Sequence, residues 1–217
     1  MAAAGLKSAY LRSRRRLIER LGAAGIEDLT VLHAFDSVPR HLFVPEAVRH
    51  RAYEDVALPL GHGQTISRPG VHALHLQLAR LSGSERVLEI GTGSGFQTAL
   101  LARLVREVCS IELVPELATL VHDRLVALDI GNVELRIGDG SKGWEERAPF
   151  DVIFVGAAAP AVPDSLRKQL ADGGRLLIPI GDETGQRLLL IERSGESWKE
   201  HTVENARFVP LVGEEGW

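Results

Sequence analysis

The hydrophobic pattern changes period once along the chain, at about residue 84. Before that point, Leu6, Tyr10, Leu17, Ile18 and Leu21 recur at the three-to-four-residue spacing of a helix face, and Gly22 supplies a stop. A second short helix is predicted over Asp28 to Phe35. Val38-Pro39 and Val44-Pro45 impose extended or turn geometry, because the proline ring disfavours helix at the residue before it. The Gly- and Pro-rich stretch from Leu58 to Gly70 reads as a loop, and helix resumes from about Val71 to Leu81.

After residue 84, short apolar runs alternate with amphipathic segments. Strands are predicted at Arg86 to Ile90, Val108 to Leu113, Val133 to Ile137, Asp151 to Val155, Arg175 to Ile180, Arg187 to Ile191 and Val203 to Val209. Helices are predicted at Phe96 to Val105, from Pro115 through Leu117, Leu120, Val121, Leu125 and Leu128, and at Val162 to Leu170, where Gly173-Gly174 ends the helix. Seven strands with helices between the first five make a doubly wound α/β sheet. A turn near Ser194 to Ser197 predicts a hairpin return, hence a mixed sheet. We expect a single domain, with residues 1–83 forming a helical region and 84–217 the α/β core.

Composition narrows the class. The 217 residues are 45% hydrophobic and 25% charged, the balance of a folded globular chain. The net charge of −4 argues against a dedicated nucleic-acid binder. The charge is uneven: the first 20 residues carry six basic side chains and one acid, so the remainder is acidic. A solvated, Arg-rich helical cap is the expected form of that start. A single cysteine, Cys109, excludes an intramolecular disulfide and makes a thiolate metal site untenable; no metal is expected. No apolar run reaches the roughly 18 to 20 residues of a membrane span, and no secretory core follows the basic start. The expectation is a cytoplasmic monomer with no nucleic-acid or membrane partner.

The sharpest motif is Val87-Leu88-Glu89-Ile90-Gly91-Thr92-Gly93-Ser94-Gly95-Phe96, a strand, a glycine turn and a helix start. A dinucleotide site needs its third glycine where this chain has Phe96, and a phosphate-cradling loop needs a Gly-Lys-Ser/Thr that is absent. Glu89, just before the glycines, would repel a pyrophosphate but attract an ammonium. That combination suits S-adenosylmethionine, which has an amino acid and an adenosine but no phosphate. Glu112, at the end of the second strand, is placed to accept from ribose hydroxyls, and otherwise reads as a solvated strand-end acid. Asp139, in Ile137-Gly138-Asp139-Gly140, is placed to accept from the adenine amine while Gly140 leaves room for the ring; alone, it reads as an Asp-Gly turn.

A more particular resemblance begins before the core. Val44-Pro45-Glu46, Ala52-Tyr53, Leu58-Pro59 and His62-Gly63-Gln64-Thr65-Ile66-Ser67 precede the glycine motif. Gly138-Asp139-Gly140-Ser141, Gly143-Trp144, Pro149-Phe150-Asp151, Ala157-Ala158-Ala159-Pro160, Gly173-Gly174-Arg175-Leu176 and Arg207-Phe208-Val209-Pro210-Leu211 follow it. Over roughly residues 38 to 212 the chain resembles the protein-L-isoaspartate O-methyltransferases. The glycine loop is shared by many methyltransferases, whereas the Gln-Thr-Ile-Ser loop and the Phe-Val-Pro-Leu ending are particular to this family. The resemblance implies a Rossmann-like class I methyltransferase fold with a seven-stranded mixed sheet and an amino-terminal helical extension. It also implies that the last two strands are exchanged in order relative to most methyltransferases.

The implied activity is protein repair. The enzyme would move a methyl group from S-adenosyl-L-methionine to the free α-carboxylate of L-isoaspartyl residues, and the ester would then close to a succinimide and partly hydrolyse to aspartate. Its partners would be isoaspartyl proteins and peptides, and its cofactor product S-adenosyl-L-homocysteine. The implied cofactor set is Thr65, Ile66, Glu89, Gly91, Thr92, Gly93, Ser94, Gly95, Glu112, Asp139 and Gly140. Ser67 is implied as the catalytic-site residue, its hydroxyl orienting the acceptor carboxylate, with Thr65-Ile66-Ser67 as a lid. Val209, Pro210 and Leu211 are expected to bind substrate by pairing with an extended peptide.

No general base is required, because a carboxylate with a pKa near 4 is already ionised, and no Ser-His-Asp or Cys-His pattern is present. Ser67 also reads as a helix N-cap before Pro69. Arg68 is expected to attract an anionic substrate or to face solvent, His72 to be an exposed helix-start residue or, as the resemblance implies for some relatives, to touch the cofactor, Cys109 a buried apolar residue, and Trp144 a packing residue behind the adenine loop. Two rivals stand beside the repair reading. One is a methyltransferase for another carboxylate, such as an aspartate in a modified peptide; the other is a cofactor-binding protein without activity.

Overall fold

The computed structural model describes residues 2–217, with side chains from Tyr10 onward, so the Leu6 and Lys7 side chains lie outside the described residues. The first helix, α1 (Ala2–Ala23), runs through Gly22 and ends one residue later. The second, α2 (Leu29–Ser37), is capped by the Asp28 carboxylate, which accepts from the Thr30 and Val31 amides at 2.8 and 3.3 Å. Arg14 lies 3.3 Å from Asp36, and Arg20 donates to the Tyr53 carbonyl at 2.6 Å. Part of the basic start thus anchors α1, while Arg12, Arg15 and Arg16 are exposed.

Three departures from the sequence reading occur before the core. Residues Arg40–Leu42 and Glu46–Arg51 form 3-10 turns. The stretch expected as a loop contains an antiparallel hairpin, β1 (Leu58–Gly61) and β2 (Gln64–Ile66), separate from the main sheet. The helix after it, α3 (Pro69–Ala79), starts two residues earlier than expected, with Pro69 in its first turn, where the missing N–H costs nothing.

The core follows as β3 (Arg86–Ile90), α4 (Phe96–Leu104), β4 (Glu107–Glu112), α5 (Pro115–Ala127), β5 (Val133–Ile137), β6 (Phe150–Val155), α6 (Asp164–Gln169), β7 (Leu170–Asp182), β8 (Gly185–Ser194) and β9 (Ser197–Ala206). The sheet order is β5-β4-β3-β6-β7-β8-β9, parallel through β7 and antiparallel at β8 and β9. The last three strands therefore form a meander in chain order. Only two 3-10 turns, Gly140–Lys142 and Glu145–Arg147, stand between β5 and β6 where a helix was expected.

Gly173-Gly174 does not end a helix. The chain leaves α6 at Gln169, and β7 begins at Leu170. Pairing with β6 jumps from Phe150–Leu170 to Val152–Arg175, so the glycines sit in a bulge that skips residues 171–174. The final strand ends at Ala206, short of the expected Val209.

Strand alternation divides the core into two faces. Val87, Val108, Val152 and Phe154 face α4, α5 and the amino-terminal helices, in one cluster with Leu17, Phe35 and Phe43. Leu88, Ile90, Cys109, Ile153 and Val155 face α6, together with Trp144 and Leu211. Leu120, expected on the apolar face of α5, is exposed. Among the described residues no helix is long and apolar enough to cross a membrane.

Candidate active site

Every parallel strand delivers its carboxyl end to the same rim, and three connected cavities lie along it. The first is walled by the glycine loop, the end of β4 and the turn after β5. Glu112 is buried there. One carboxylate oxygen accepts the Gly93 amide at 2.7 Å and the other the Val114 amide at 2.9 Å. Each oxygen keeps lone pairs for a ligand hydroxyl. Gly91 and Gly93 line the cavity with positive φ angles of 85° and 55°.

Gly95, expected to bind cofactor, is not on the cavity wall. It is the N-cap of α4 at φ 80°, and a Cβ there would lie 2.7 Å from Cγ1 of Val121 on α5. Its task is helix packing. Gly140 lines the cavity, but the space it provides goes to the wall and not to a ring: a Cβ there would lie 2.4 Å from Cγ2 of Ile90.

Asp139 departs furthest from its expected role. Its flanking glycines, Gly138 and Gly140, line the cavity, but its own side chain does not. One oxygen accepts the Ser141 amide and hydroxyl at 2.8 and 2.7 Å, and the other accepts the Glu214 amide at 2.8 Å. Asp139 thus ties the turn after β5 to the carboxyl-terminal segment.

The second cavity lies between the glycine loop and α3. Glu89 is buried on the α4 face of β3. Thr98 and Ser110 both donate to its Oε2, at 2.6 and 2.7 Å, and Thr92 Oγ1 lies 2.6 Å from the Ser110 hydroxyl. Oε1 is buried without a partner. Burial pushes the Glu89 carboxyl up to about 7, against the pull of its two hydroxyl donors. Ser94 also lines this cavity.

His72 and His75 line the same cavity and are 8% and 4% exposed, which corrects the exposed helix-start reading of His72. His72 Nδ1 lies 2.8 Å from Gln97 Oε1. An amide oxygen only accepts, so the proton sits on Nδ1 and Nε2 carries a lone pair. Nε2 of both histidines is buried without a partner. Burial, helped by the Arg40 charge, pushes His72 down to about 3, and burial alone pushes His75 down to about 4.

The third cavity is an open groove between the β2–α3 junction and the segment after β9. Ser67 lies on the wall that the groove shares with the second cavity. The residue is half-buried, and among the described residues its hydroxyl has no hydrogen-bond partner. The N-cap reading does not hold: the cap is Arg68, with no side-chain cap bond, and Asp55 instead accepts the Gly70 amide at 2.7 Å. Arg68 is exposed, 3.8 Å from Asp55. Thr65 borders all three cavities, and Ile66 borders the second.

The segment expected to pair with peptide is already paired. Ala158 donates to the Val209 carbonyl at 2.7 Å, and Leu211 donates to the Ala158 carbonyl at 2.8 Å. Pro210 forms a parallel bridge with Ala158. One main-chain edge of Val209, Pro210 and Leu211 is thus spent inside the protein, with Leu211 buried in the core. Phe208 instead lines the groove, stacked on His75 at 6.0 Å, its amide donating to Gln186 Oε1 at 2.6 Å.

Ser110, Thr98 and Arg40 were not singled out from the sequence; Phe208 was read only as part of the family's ending, and His75 only as a residue sharing a helix face with His72. For Ser110 a signal existed, because it is the one polar residue at the centre of an otherwise apolar strand and pairs in register with Glu89. The one grouping among the described residues close enough to share a cation is Glu107, Cys109 and Glu134, at the far, amino end of the strands. Arg147 occupies it, pairing with Glu107 and Glu134.

The donor set fits a cationic, phosphate-free ligand. Neither the first nor the second cavity has a lysine or arginine on its wall. A ligand ammonium would require Glu89 in its ionised form, so binding would expel the proton that burial retains. S-adenosylmethionine affinity should therefore weaken as pH falls below about 7, by up to about tenfold per pH unit. Dissociation constants measured from pH 5.5 to 8.5 check this. Glu89→Gln should flatten the acid limb, and a limb unchanged by that substitution would count against the assignment.

Comparison with known proteins gives one answer. Residues 12–216 match the family described as protein-L-isoaspartate(D-aspartate) O-methyltransferase. The protein-L-isoaspartate O-methyltransferase of Halorhodospira halophila is 50% identical over 211 residues, covering 97% of this chain and 96% of that protein. The corresponding protein of Magnetococcus marinus is 48% identical over 207 residues, covering 95% and 91%. A solved protein-L-isoaspartate O-methyltransferase superposes with a TM-score of 0.86 at 30% identity, covering 94% of this chain and 67% of its own. A Plasmodium falciparum structure in complex with S-adenosyl-L-homocysteine gives 0.80 at 28% identity, covering 92% and 98%. With nearly the whole chain matched and the fold shared, this chain belongs to the protein-L-isoaspartate(D-aspartate) O-methyltransferase family.

Proposed function

We propose that this chain transfers a methyl group from S-adenosyl-L-methionine to the free α-carboxylate of L-isoaspartyl residues in damaged proteins. Bound S-adenosylmethionine supplies a methyl carbon on a sulfonium: a carboxylate oxygen forms the new C–O bond as the C–S bond breaks, its electron pair passes to sulfur, both charges are discharged and no proton moves. The nitrogen of the following backbone amide then attacks the ester carbonyl and displaces methanol to close a succinimide, which water opens in part to aspartate. The same reading takes the protein to act as a cytoplasmic monomer.

The observation that carries this reading is Ser67, whose unpaired hydroxyl stands on the wall between the second cavity and the open groove. From there it can donate to a carboxylate oxygen seated in the groove and turn the other toward the methyl group. The two histidines of the second cavity, His72 and His75, are pushed by burial to about 3 and 4 and are weak bases. Glu89, in the same cavity, is given to the ligand ammonium in this reading and needs no role as a base, because a carboxylate acceptor arrives ionised. Arg68 and Arg207 on the groove wall suit an anionic peptide group. Phe208 and Thr65 line both the groove and the second cavity, where a seated peptide would displace water that stabilises the separated charges more than the transition state.

Labelled S-adenosylmethionine and two peptides of the same sequence, one with isoaspartate and one with aspartate, test the reading. Label should enter only the isoaspartyl peptide. Label in neither peptide would sink the repair function, and equal label would indicate a different carboxylate methyltransferase. Ser67→Ala should lower turnover about 10- to 100-fold, the worth of one hydrogen bond to a charged group, with S-adenosylmethionine affinity within about twofold of wild type.

A further inference from the structure

Among the described residues, Arg40 is one of the largest fully buried side chains, at 1% exposure, and it forms no ion pair with any of them. Its Nε donates to the Ala52 carbonyl and its Nη2 to the Ser67 carbonyl, each at 2.9 Å. The guanidinium lies over the Phe96 ring, 4.7 Å from its centre. Nη1 is buried with no partner. Desolvation lowers its pKa to about 9, and Asp55, which holds the start of α3 through Gly70, offsets part of that. A buried charge without an ion pair and with idle donors is costly. Stability alone would be better served by an apolar side chain of similar volume.

The three groups that Arg40 touches explain what it accomplishes. Ser67 carries the acceptor-side hydroxyl, Phe96 follows directly on the glycine loop, and Ala52 caps the Glu46–Arg51 3-10 turn. Methyl transfer needs acceptor oxygen, methyl carbon and sulfur in line, and small misplacements are expensive. Fixing the Ser67 carbonyl holds that residue's backbone and so the Cβ from which its hydroxyl swings, which limits the positions the hydroxyl can take. Stacking on Phe96 references that position to the loop beside the donor cavity.

We infer that Arg40 is a positioning residue: a planar strut that sets the Ser67 hydroxyl at a fixed distance from the glycine loop, so that acceptor and donor meet in line. The inference rests on the role given to Ser67 in the proposed function. It requires arginine specifically. A lysine keeps the charge, but its single nitrogen cannot reach two carbonyls in one plane while stacking on a ring.

The test is a double-substitution cycle. Arg40→Lys and Arg40→Met are each made in the wild-type and Ser67→Ala backgrounds. The readouts are kcat and KM for the peptide carboxylate the enzyme labels, S-adenosylmethionine affinity, and the folded fraction by thermal unfolding. In the wild-type background, either substitution should lower kcat per folded molecule about 10- to 100-fold, with peptide KM and cofactor affinity within about threefold. In the Ser67→Ala background the same substitution should change kcat less than about twofold, because no hydroxyl remains to be aimed. A merely structural Arg40 would lose the same factor in both backgrounds, and that result overturns the inference, as does full kcat in Arg40→Met. If Arg40→Met does not fold, Arg40→Lys carries the cycle alone. The cycle is read on any carboxylate that becomes labelled, so the isoaspartyl assignment can fail while the strut stands. An enzyme that labels no carboxylate overturns both.

Discussion

Glu112→Gln should raise the dissociation constant for S-adenosylmethionine about 100-fold and leave peptide KM near wild type at saturating cofactor. Glutamine has nearly the shape of glutamate but only one acceptor oxygen. In the native protein both oxygens are committed, one to the Gly93 amide and one to the Val114 amide. The substituted amide nitrogen would face one of those N–H groups donor to donor, leaving a buried amide unpaired at about 1–3 kcal/mol. It would also remove the negative charge to which a ribose hydroxyl donates, a bond worth about 1.5–3 kcal/mol. The second loss falls on the ligand and gives the 100-fold estimate. The first falls on the glycine loop and appears as a melting temperature a few degrees lower. Titration calorimetry measures the former, and a dissociation constant within about threefold of wild type would show that Glu112 does not hold the cofactor.

Gly95→Ala should instead cost stability and spare affinity. At φ 80° any L side chain is strained by about 1 kcal/mol, and the new Cβ would lie 2.7 Å from Val121 Cγ1. Overpacking of that kind adds about 1–3 kcal/mol. For a chain of this length the sum lowers the melting temperature by about 5–15 °C. Adding Val121→Ala should recover the steric part and leave the φ strain, so the double variant should be more stable than the two single losses combined would allow. Strict additivity, or a melting temperature within about 2 °C of wild type for Gly95→Ala, would show that α4 and α5 do not meet here as described. Cofactor affinity at low temperature should stay within about threefold, which separates this glycine from Gly91 and Gly93 on the cavity wall.

These two cases show which parts of the site could be read from the chain. Glu89, Glu112 and the glycine loop were legible because strand, turn and helix follow one another within ten residues, and parallel topology brings their ends to one rim. The β1–β2 hairpin was hidden because Pro59, Gly61 and Gly63 are the residues of loops as well as of tight turns, and only pairing across the turn distinguishes them. The bulge at Gly173-Gly174 looked like a helix stop for the same reason. The tie made by Asp139 could not be read locally, because a carboxylate followed by glycine fits both an adenine contact and a turn, and its partner, the Glu214 amide, lies 75 residues away. Arg40 was passed over, and His72 was read chiefly as exposed, because polar residues near a turn or helix start read as solvated. Their burial depends on packing between elements distant in sequence, which local spacing does not encode.

The position of Thr65 on the walls of all three cavities has a consequence for timing. One short hairpin borders the glycine-loop cavities on one side and the open groove on the other. On the proposed function, a protein chain seated in that groove would press on the strand that flanks the cofactor. The expected result is ordered kinetics, cofactor first and damaged protein second, with product inhibition patterns as the check.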